Sequence, residues 1–571
     1  MAEAIISPGV FQIESDQSLY TSSPQVVGAA IVGPTVGGIP YVPTNVTTYT
    51  QYLSIFGDVF KSGSYYYEYF TSMAAKEYFQ NGGKTLLVTR IISGSAGIST
   101  YASSTIAKSG STNESFKLET LAWGDQMNNT SSISSGSLAS GSTYNVRWEV
   151  TNVDTTKGTF GLAIRRGDDN TAQKNILETW SNLSLDPQLP NYISRVIGDL
   201  KPVYNSTTYQ VDFTGSFANA SRYVRVSSVA GVSVDSIDNN GKYKSSSLAT
   251  NLPTTGSGSY GGSFAGGIAD TTAVKLMNEN ITTSNIQGFA PADYNTAFNI
   301  LADKETYQYN LLLAPGVGLD NTAVTNMIAC VEGRGDAIAI TDAMIYNNAS
   351  ITAAVTAANG QTSNYAATYF PWVVLYSSNL GKAVWAPPST VIGGVMAFND
   401  QVSAEWFAPA GLNRGGIPSV LRAQFRLQQT DRDTLYNGNV NPIATFPGVG
   451  TAVWGQKTLQ QKQTALDRIN VRRLMIALKG FIGGIARTLV FEQNTTATRN
   501  RFLAQVNPYL SSVVQRQGLY AYKVVMDDTN NTPDVVDRNQ LVGQIYIQPT
   551  KTAEFIILNY NILPTGVTFP A

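Results

Sequence analysis

The chain has 571 residues, too many for one hydrophobic core, so two to four domains are expected. Its net charge is −1 and only 13% of its residues are charged, against roughly a quarter in an ordinary soluble domain, which excludes the large positive field that a polyphosphate partner needs. Without histidine and with a single cysteine, Cys330, it can build neither a Ser-His-Asp triad nor a disulfide framework or multi-thiolate metal site.

The opening "MAEAIISPGVFQIE" lacks the basic and continuous apolar stretches of a signal peptide, and no run reaches the roughly 18 apolar residues of a membrane span. Neither a leader nor stable membrane insertion is expected. Residues 1–20 read as an extended arm. "QVVGAAIVGPT" (25–35) reads as a buried strand closed by Gly33 and Pro34, "YYYEYFTSMAAKEYFQNGG" (65–83) as a helix stopped by Asn81 and Gly82, and "KTLLVTRII" (84–92) as a strand. Strand, helix and strand together predict an α/β unit.

From 94 to 256 the texture turns to Ser, Thr, Gly and Asn, carrying alternating segments such as "TYNVRWEV", "GTFGLAIRR" and "SRYVRVSSV". Alternation predicts antiparallel strands with one wet face, hence a β-rich domain inserted into the α/β one. The α/β texture resumes with "DYNTAFNILADKETYQYNLLLAPG" and "NTAVTNMIACVEGRGDAIAITDA", in which Cys330 reads as a small buried helix residue. The strands "YNLLLAP", "DAIAIT" and "WVVLY" are expected to join "VVGAAIVG" and "KTLLVTRII" in one sheet. Residues 385–571, with helical candidates at 453–487 and 496–517 and strands "GLYAYKVVMDD", "LVGQIYIQPT" and "AEFIILNYNI", read as a separate α+β domain. The predicted fold is therefore multidomain: an α/β domain (21–93 plus 257–384), a β-rich insertion (94–256) and a C-terminal α+β domain (385–571).

Catalytic motifs are not found. "NGGKTLL" holds the last letters of a phosphate-binding loop, but Tyr78 stands where its first glycine belongs, and the order helix, glycines, strand cannot wrap a phosphate at a helix N-terminus. The acidic run "MDDTNNTPDVVD" (Asp527, Asp528, Asp534, Asp537) lacks the alternating spacing and glycine of a calcium loop and reads as turn chemistry. No catalytic, cofactor or metal residue is singled out, and enzymatic activity is not expected.

"INVRRLMIALKGFIGGIARTLVFEQNTTATRNRFL" (469–503) sets Leu474, Leu478, Phe481 and Ile485 at three- and four-residue steps, one apolar helix face. Arg472 and Arg473 lie near the start of that helix, where positive charge opposes the macrodipole, so a nearby acid is required to offset them. Solvation, an in-chain pair with Asp467 or Glu492, and a contact with another subunit all remain open on these residues alone.

A series of segments carries a family resemblance: "SPGVFQIE" (7–14), "VGGIPYVPTNVTTYTQYLSIFG" (36–57), "AAKEYFQNGGKTLLVTRI" (74–91), "VEGRGDAIAITD" (331–342), "APPSTVIGGVMAFND" (386–400), "FPGVGTAVWGQKTL" (446–459), "RINVRRLMIALKGFI" (468–482) and "GQIYIQPTKTAEFIILNYNI" (543–562). In content and order these resemble the contractile tail sheath proteins of bacteriophages. The resemblance implies a virion-tail subunit, assembled in the host cytoplasm, that stacks as helical rings around a tail tube. It implies contraction that drives the tube through the host envelope, with tail tube, baseplate and tail terminator proteins as partners and no direct nucleic-acid contact. Another structural class, a capsid or adhesin subunit, is the alternative.

Within that frame, Val10, Phe11 and Ile13 near one end and Phe555, Ile556 and Ile557 near the other are apolar, extended and edge-like, and are expected to pair as added strands on neighbouring subunits. The C-terminal domain with the arm is expected to face the tube and the insertion to face outward. Arg472 and Arg473 become candidate tube or inter-subunit contacts, and reversing both charges is expected to leave the monomer folded.

Overall fold

The computed structural model describes residues 28–62, 65–92, 101–129, 136–205, 207–229, 239–240, 242, 251–258, 261–267 and 281–556. Its centre is one sheet built from β1 (Gly28–Gly33), β2 (Thr44–Val46), β3 (Leu86–Arg90), β4 (Tyr309–Gly318), β5 (Ile338–Asp342), β6 (Ala366–Phe370), β7 (Val440–Phe446) and β8 (Gly450–Val453). The order is β2-β3-β1-β4-β5-β6-β7-β8. The run from β3 to β7 is parallel, and β2 and β8 close the edges antiparallel. Parallel strands are covered on both faces, which is why β1, β4 and β5 are near-continuous apolar runs.

Alternate residues of these strands feed two cores. Ala30, Leu312 and Ala339 pack with Phe298 of α2 (Pro291–Leu301) and Met327 and Val331 of α3 (Ala323–Arg334). Ile31, Leu313 and Ile340 pack on the other face with Met73 of α1 (Phe70–Gln80) and Ile392 and Met396 of α4 (Ser389–Val402). α1 and α4 approach so closely that a Cβ on Gly394 would lie 2.8 Å from the Glu77 carbonyl oxygen. Asp342 pins the seat of α4: its carboxylate accepts from the Ser389 amide at 2.7 Å, the Ser389 hydroxyl at 2.8 Å and the Gly316 amide at 3.0 Å. Burial outweighs these bonds and pushes its pKa up to about 7. Cys330 is buried in α3 against Tyr309, as its sequence context predicts.

Two expectations differ from this packing. "WVVLY" does not join the central sheet; Val373–Ser377 pairs instead with Lys382–Ala386 and Val420–Ala423 in a separate three-stranded sheet, and "AATYF" supplies β6. Most of residues 385–453 also pack with the middle unit, although Ala404 and Trp406 enter the C-terminal core. α4 is buried around nearly its whole circumference against α1 and the sheet, and β7 and β8 complete that sheet.

The insertion is antiparallel throughout its described strands, with a core of Phe116, Leu118, Phe160, Leu162, Ile164 and Val226. It runs past the expected limit at 256, because Phe264 is buried in the same core and Ala265 bridges Ser103. It touches the middle unit through Tyr144, whose hydroxyl donates to Asp58 at 2.5 Å.

The C-terminal unit holds α5 (Ile469–Arg487), α6 (Thr496–Gln515), β9 (Leu519–Val525) and β10 (Gln544–Pro549). Residues 454–468, predicted as helix, precede α5 as largely extended chain with a short turn at Ala465–Asp467; Lys457 bridges Arg468 there.

Candidate assembly surface

α5 has two halves. From Ile469 to Leu478 it is mostly buried: Leu474 and Leu478 pack with Phe502, Val506 and Leu510 of α6, while Ile469 and Ile476 belong to the core beneath the sheet. From Lys479 onward it stands open. Phe481 stays 40% exposed although it stacks on Tyr509, and beyond the helix end Phe491 is fully exposed. Gly480, Gly483 and Gly484 lie on this half, and a Cβ on any of them would meet nothing within 4 Å. Glycine costs a helix up to about 1 kcal/mol relative to alanine. Nothing inside the described chain requires three of them there.

Arg472 and Arg473 sit on the buried half, each 3% exposed. Arg473 forms a fork with Asp400 at the end of α4, Nη1 to Oδ1 at 2.7 Å and Nη2 to Oδ2 at 2.5 Å. Burial alone would lower its pKa, but Asp400, with Glu405 behind it, more than reverses that and holds the guanidinium above its ordinary range. Arg472 lies over the Tyr365 ring, 4.1 Å from its centroid, and burial draws its pKa below the ordinary range. Its Nε and Nη1 have no hydrogen-bond partner among the described residues. The acid required by the helix dipole is thus Asp400; Asp467 pairs with Arg468 at 3.0 Å and Glu492 with Arg501 at 3.3 Å. A tube or subunit contact by Arg473, as expected from the sequence, would form in place of its Asp400 fork. Both positions are buried, so the structure gives reason to expect that reversing both charges perturbs folding.

β9 and β10 form an antiparallel pair whose inner face, including Tyr522, Val524, Ile545 and Ile547, rests on the α5–α6 core. Tyr520 and Tyr546 face away, 66% and 56% exposed. Among the described residues no further strand joins either edge. An open two-stranded sheet is marginal by itself and offers two rows of backbone donors and acceptors.

The chain that follows β10 is held at Thr550, Thr552 and, last, by the carboxylate of Glu554. Glu554 accepts from Arg468 (Nε 2.7 Å, Nη2 3.0 Å), Tyr436 Oη (2.7 Å) and Gln456 Nε2 (3.0 Å). Burial would raise its pKa, but these donors and the Arg468 charge bring it below the usual carboxylate range. Immediately beyond, Phe555 and Ile556 are 79% and 77% exposed and lie outside any strand. Val10, Phe11, Ile13 and Ile557 lie outside the described residues.

Sequence reasoning singled out neither Asp400 nor Tyr365 nor Glu554. Only the demand for some acid near Arg472 and Arg473 was visible. In the acidic run, Asp527 caps its own turn by accepting from Thr529, and Asp528 pairs with Arg499. Among the described residues there is no group of three or more metal-ligating side chains, and no helix is long and apolar enough to cross a membrane.

Comparison with known proteins covers this region and the middle unit before it. Residues 287–459 match the phage tail sheath protein central domain, and residues 461–562 match the phage tail sheath C-terminal domain. The tail sheath protein of Vibrio phage KVP40 is 31% identical over 303 residues, 48% of this chain and 45% of that protein. That of Enterobacteria phage T4 is 40% identical over 185 residues, 32% of this chain and 28% of that protein. The match thus spans less than half the length of these relatives. In fold, the chain is similar to a solved sheath tail protein from Listeria innocua, with a TM-score of 0.53 over 92% of this chain and 95% of that one at 10% identity.

Proposed function

The chain belongs to the phage tail sheath family through residues 287–459 and 461–562, and from that premise we propose that it is the structural subunit of a contractile tail sheath. It polymerises helically around a tail tube and, on contraction, drives the tube through the host cell envelope for genome delivery. Its partners are further copies of itself, the tube protein, and the baseplate and tail terminator proteins. It works by repacking between subunits and not by turnover, in the manner of a two-state assembly.

One observation supports this reading most: the segment that matches sheath C-terminal domains also presents an open two-stranded sheet, a half-open helix and the exposed pair Phe555 and Ile556. Such edges suit strand addition from neighbouring copies. In this reading, residues 1–20 and the chain beyond Glu554 are the strands exchanged. The C-terminal unit faces the tube, and the insertion, attached to the middle unit through Tyr144 and Asp58, faces outward. Arg472 and Arg473 serve the open half of α5 from beneath, by fixing its root against Asp400 and Tyr365.

Electron microscopy of the purified chain tests the proposal. Striated hollow tubes are expected, and a variant lacking residues 1–14 should remain a folded monomer. Closed shells or isolated trimers would favour a capsid or adhesin subunit, and normal tubes from the truncated variant would remove the strand-exchange role of the arm.

A further inference from the structure

The insertion contains a cleft of about 350 Å³ that the sheath reading does not use. It lies between the hairpin formed by Lys201–Asn205 and Gln210–Thr214 and the sheet containing Val224–Val229, and it sits at the lower end of the size range of small-ligand sites. Its charged lining balances: Glu119 and Asp199 against Lys201 and Arg225. Arg225, 1% exposed, is clamped to Glu119 through Nε at 3.2 Å and Nη2 at 2.8 Å and stacks on the Tyr101 ring at 3.8 Å. Its third nitrogen, Nη1, is buried without a hydrogen-bond partner among the described residues, a costly state for a guanidinium donor. Glu119 is held ionised: burial would raise its pKa, but the Arg225 and Ser227 bonds and the Arg225 and Lys201 charges bring it below the ordinary range.

We propose that this cleft binds a neutral carbohydrate. A net anion would meet the Glu119 and Asp199 carboxylates, and a net cation would meet Lys201 and Arg225, so the balanced set favours an uncharged ligand. Such a ligand must offer both hydroxyl donors, for the carboxylates, and oxygen acceptors, for the Lys201 ammonium at the rim. Sugar rings do both at close spacing. The hydroxyls of Tyr192, Thr214 and Ser227 add groups that donate or accept as the ring requires. The cleft wall is braced independently of any ligand, because Asp199 Oδ1 accepts from the Ser216 and Phe217 amides at 2.8 and 2.7 Å. This site is separate from the polymerising surface, so its occupancy and the assembly of tubes are tested apart.

Saturation-transfer NMR on the full chain, with a panel of neutral mono- to tetrasaccharides and with sulfated and carboxylated sugars of matching length, tests the site. At least one neutral sugar is expected to receive saturation at millimolar concentration. Its affinity should weaken by roughly tenfold, about the loss of one hydrogen-bonded contact, in a Lys201→Met, Thr214→Val variant. Both positions are rim residues whose replacement leaves the Arg225–Glu119 clamp in place, and unchanged circular dichroism confirms the fold. Silence across the neutral panel, preference for the charged sugars, or equal binding by the variant would each overturn the proposal.

Discussion

Replacing Arg473 by methionine keeps the aliphatic stem and removes only the charge that ties α5 to α4. Breaking a buried ion pair on one side costs roughly 3–5 kcal/mol, and here the lower end applies, because Asp400 is 27% exposed and can recover water. Glu405 adds to the loss. Burial already raises its pKa and Arg473 is what offsets this, so without the guanidinium two carboxylates face each other unpaired. A loss of about 3 kcal/mol should speed amide exchange in Ile469–Leu478 by roughly a hundredfold, if those amides exchange through local opening of α5. Hydrogen–deuterium exchange suits a multidomain chain better than a global melt, which has no single unfolding free energy. The pH dependence has a definite sign. A carboxyl whose folded pKa is raised stabilises at low pH and loses that contribution as pH rises, so the Arg473→Met deficit should shrink as pH falls from about 8 to about 5. A second change, Asp400→Leu, should restore most of the protection, since an apolar pair replaces a broken ionic one. Exchange within about threefold of the parent at both pH values, or no rescue by the double variant, would refute the buried-clamp account.

The same measurements extend to other parts of the chain. Glu554→Gln should free residues 553–556 at neutral pH, Thr550 and Thr552 keeping their own bonds; in the parent, the depressed pKa of Glu554 keeps the clamp intact through the ordinary carboxylate range and releases it only as pH falls through that lower value, so protection of this segment should drop in acid but not in the variant. Changing Gly480, Gly483 and Gly484 to alanine should stabilise the free monomer by up to about 1 kcal/mol each, read by exchange in α5, and should impair tube formation if a partner backbone packs there; normal tubes from the triple variant would leave the open half of α5 without a packing role. Asp342, with a pKa pushed up to about 7, stabilises most when protonated, so the advantage of the parent over Asp342→Asn in amide protection of α4 should decline as pH rises through about 7.

Much of the sheet was legible because β1, β4 and β5 are buried on both faces and each therefore appears as a near-continuous apolar run. The same property misled at "WVVLY". Its residues are as apolar as any sheet strand, yet the chain turns at Pro371 and Trp372, and Val373–Ser377 pairs elsewhere, while the more polar "AATYF" takes the sheet position. Local pattern reports that a strand is covered, not which strand covers it. For that reason β7 was assigned to the following domain: its partner, β6, lies about seventy residues earlier, and nothing in "VNPIATF" names it.

The candidate surface divides in the same way, and the division follows from what each feature depends on. The open edges and exposed apolar side chains depend on composition and alternation, which are local, so Phe555 and Ile556 could be singled out directly. The fixtures beneath them depend on pairs far apart in the chain: Arg473 with Asp400, 73 residues away, and Arg468 with Glu554, 86 residues away. Electrostatics supplied the demand for a partner in the first case, because two arginines near a helix N-terminus need an acid. It could not supply the address, since Asp467 and Glu492 satisfied the same demand on paper and were nearer in sequence. The two clamps join different parts of the molecule to the C-terminal unit, one at the root of α5 and one at the departure of the last described residues. Both therefore fix the C-terminal unit to the rest of the chain while leaving the edges of β9 and β10 open, which is what the proposed strand exchange needs.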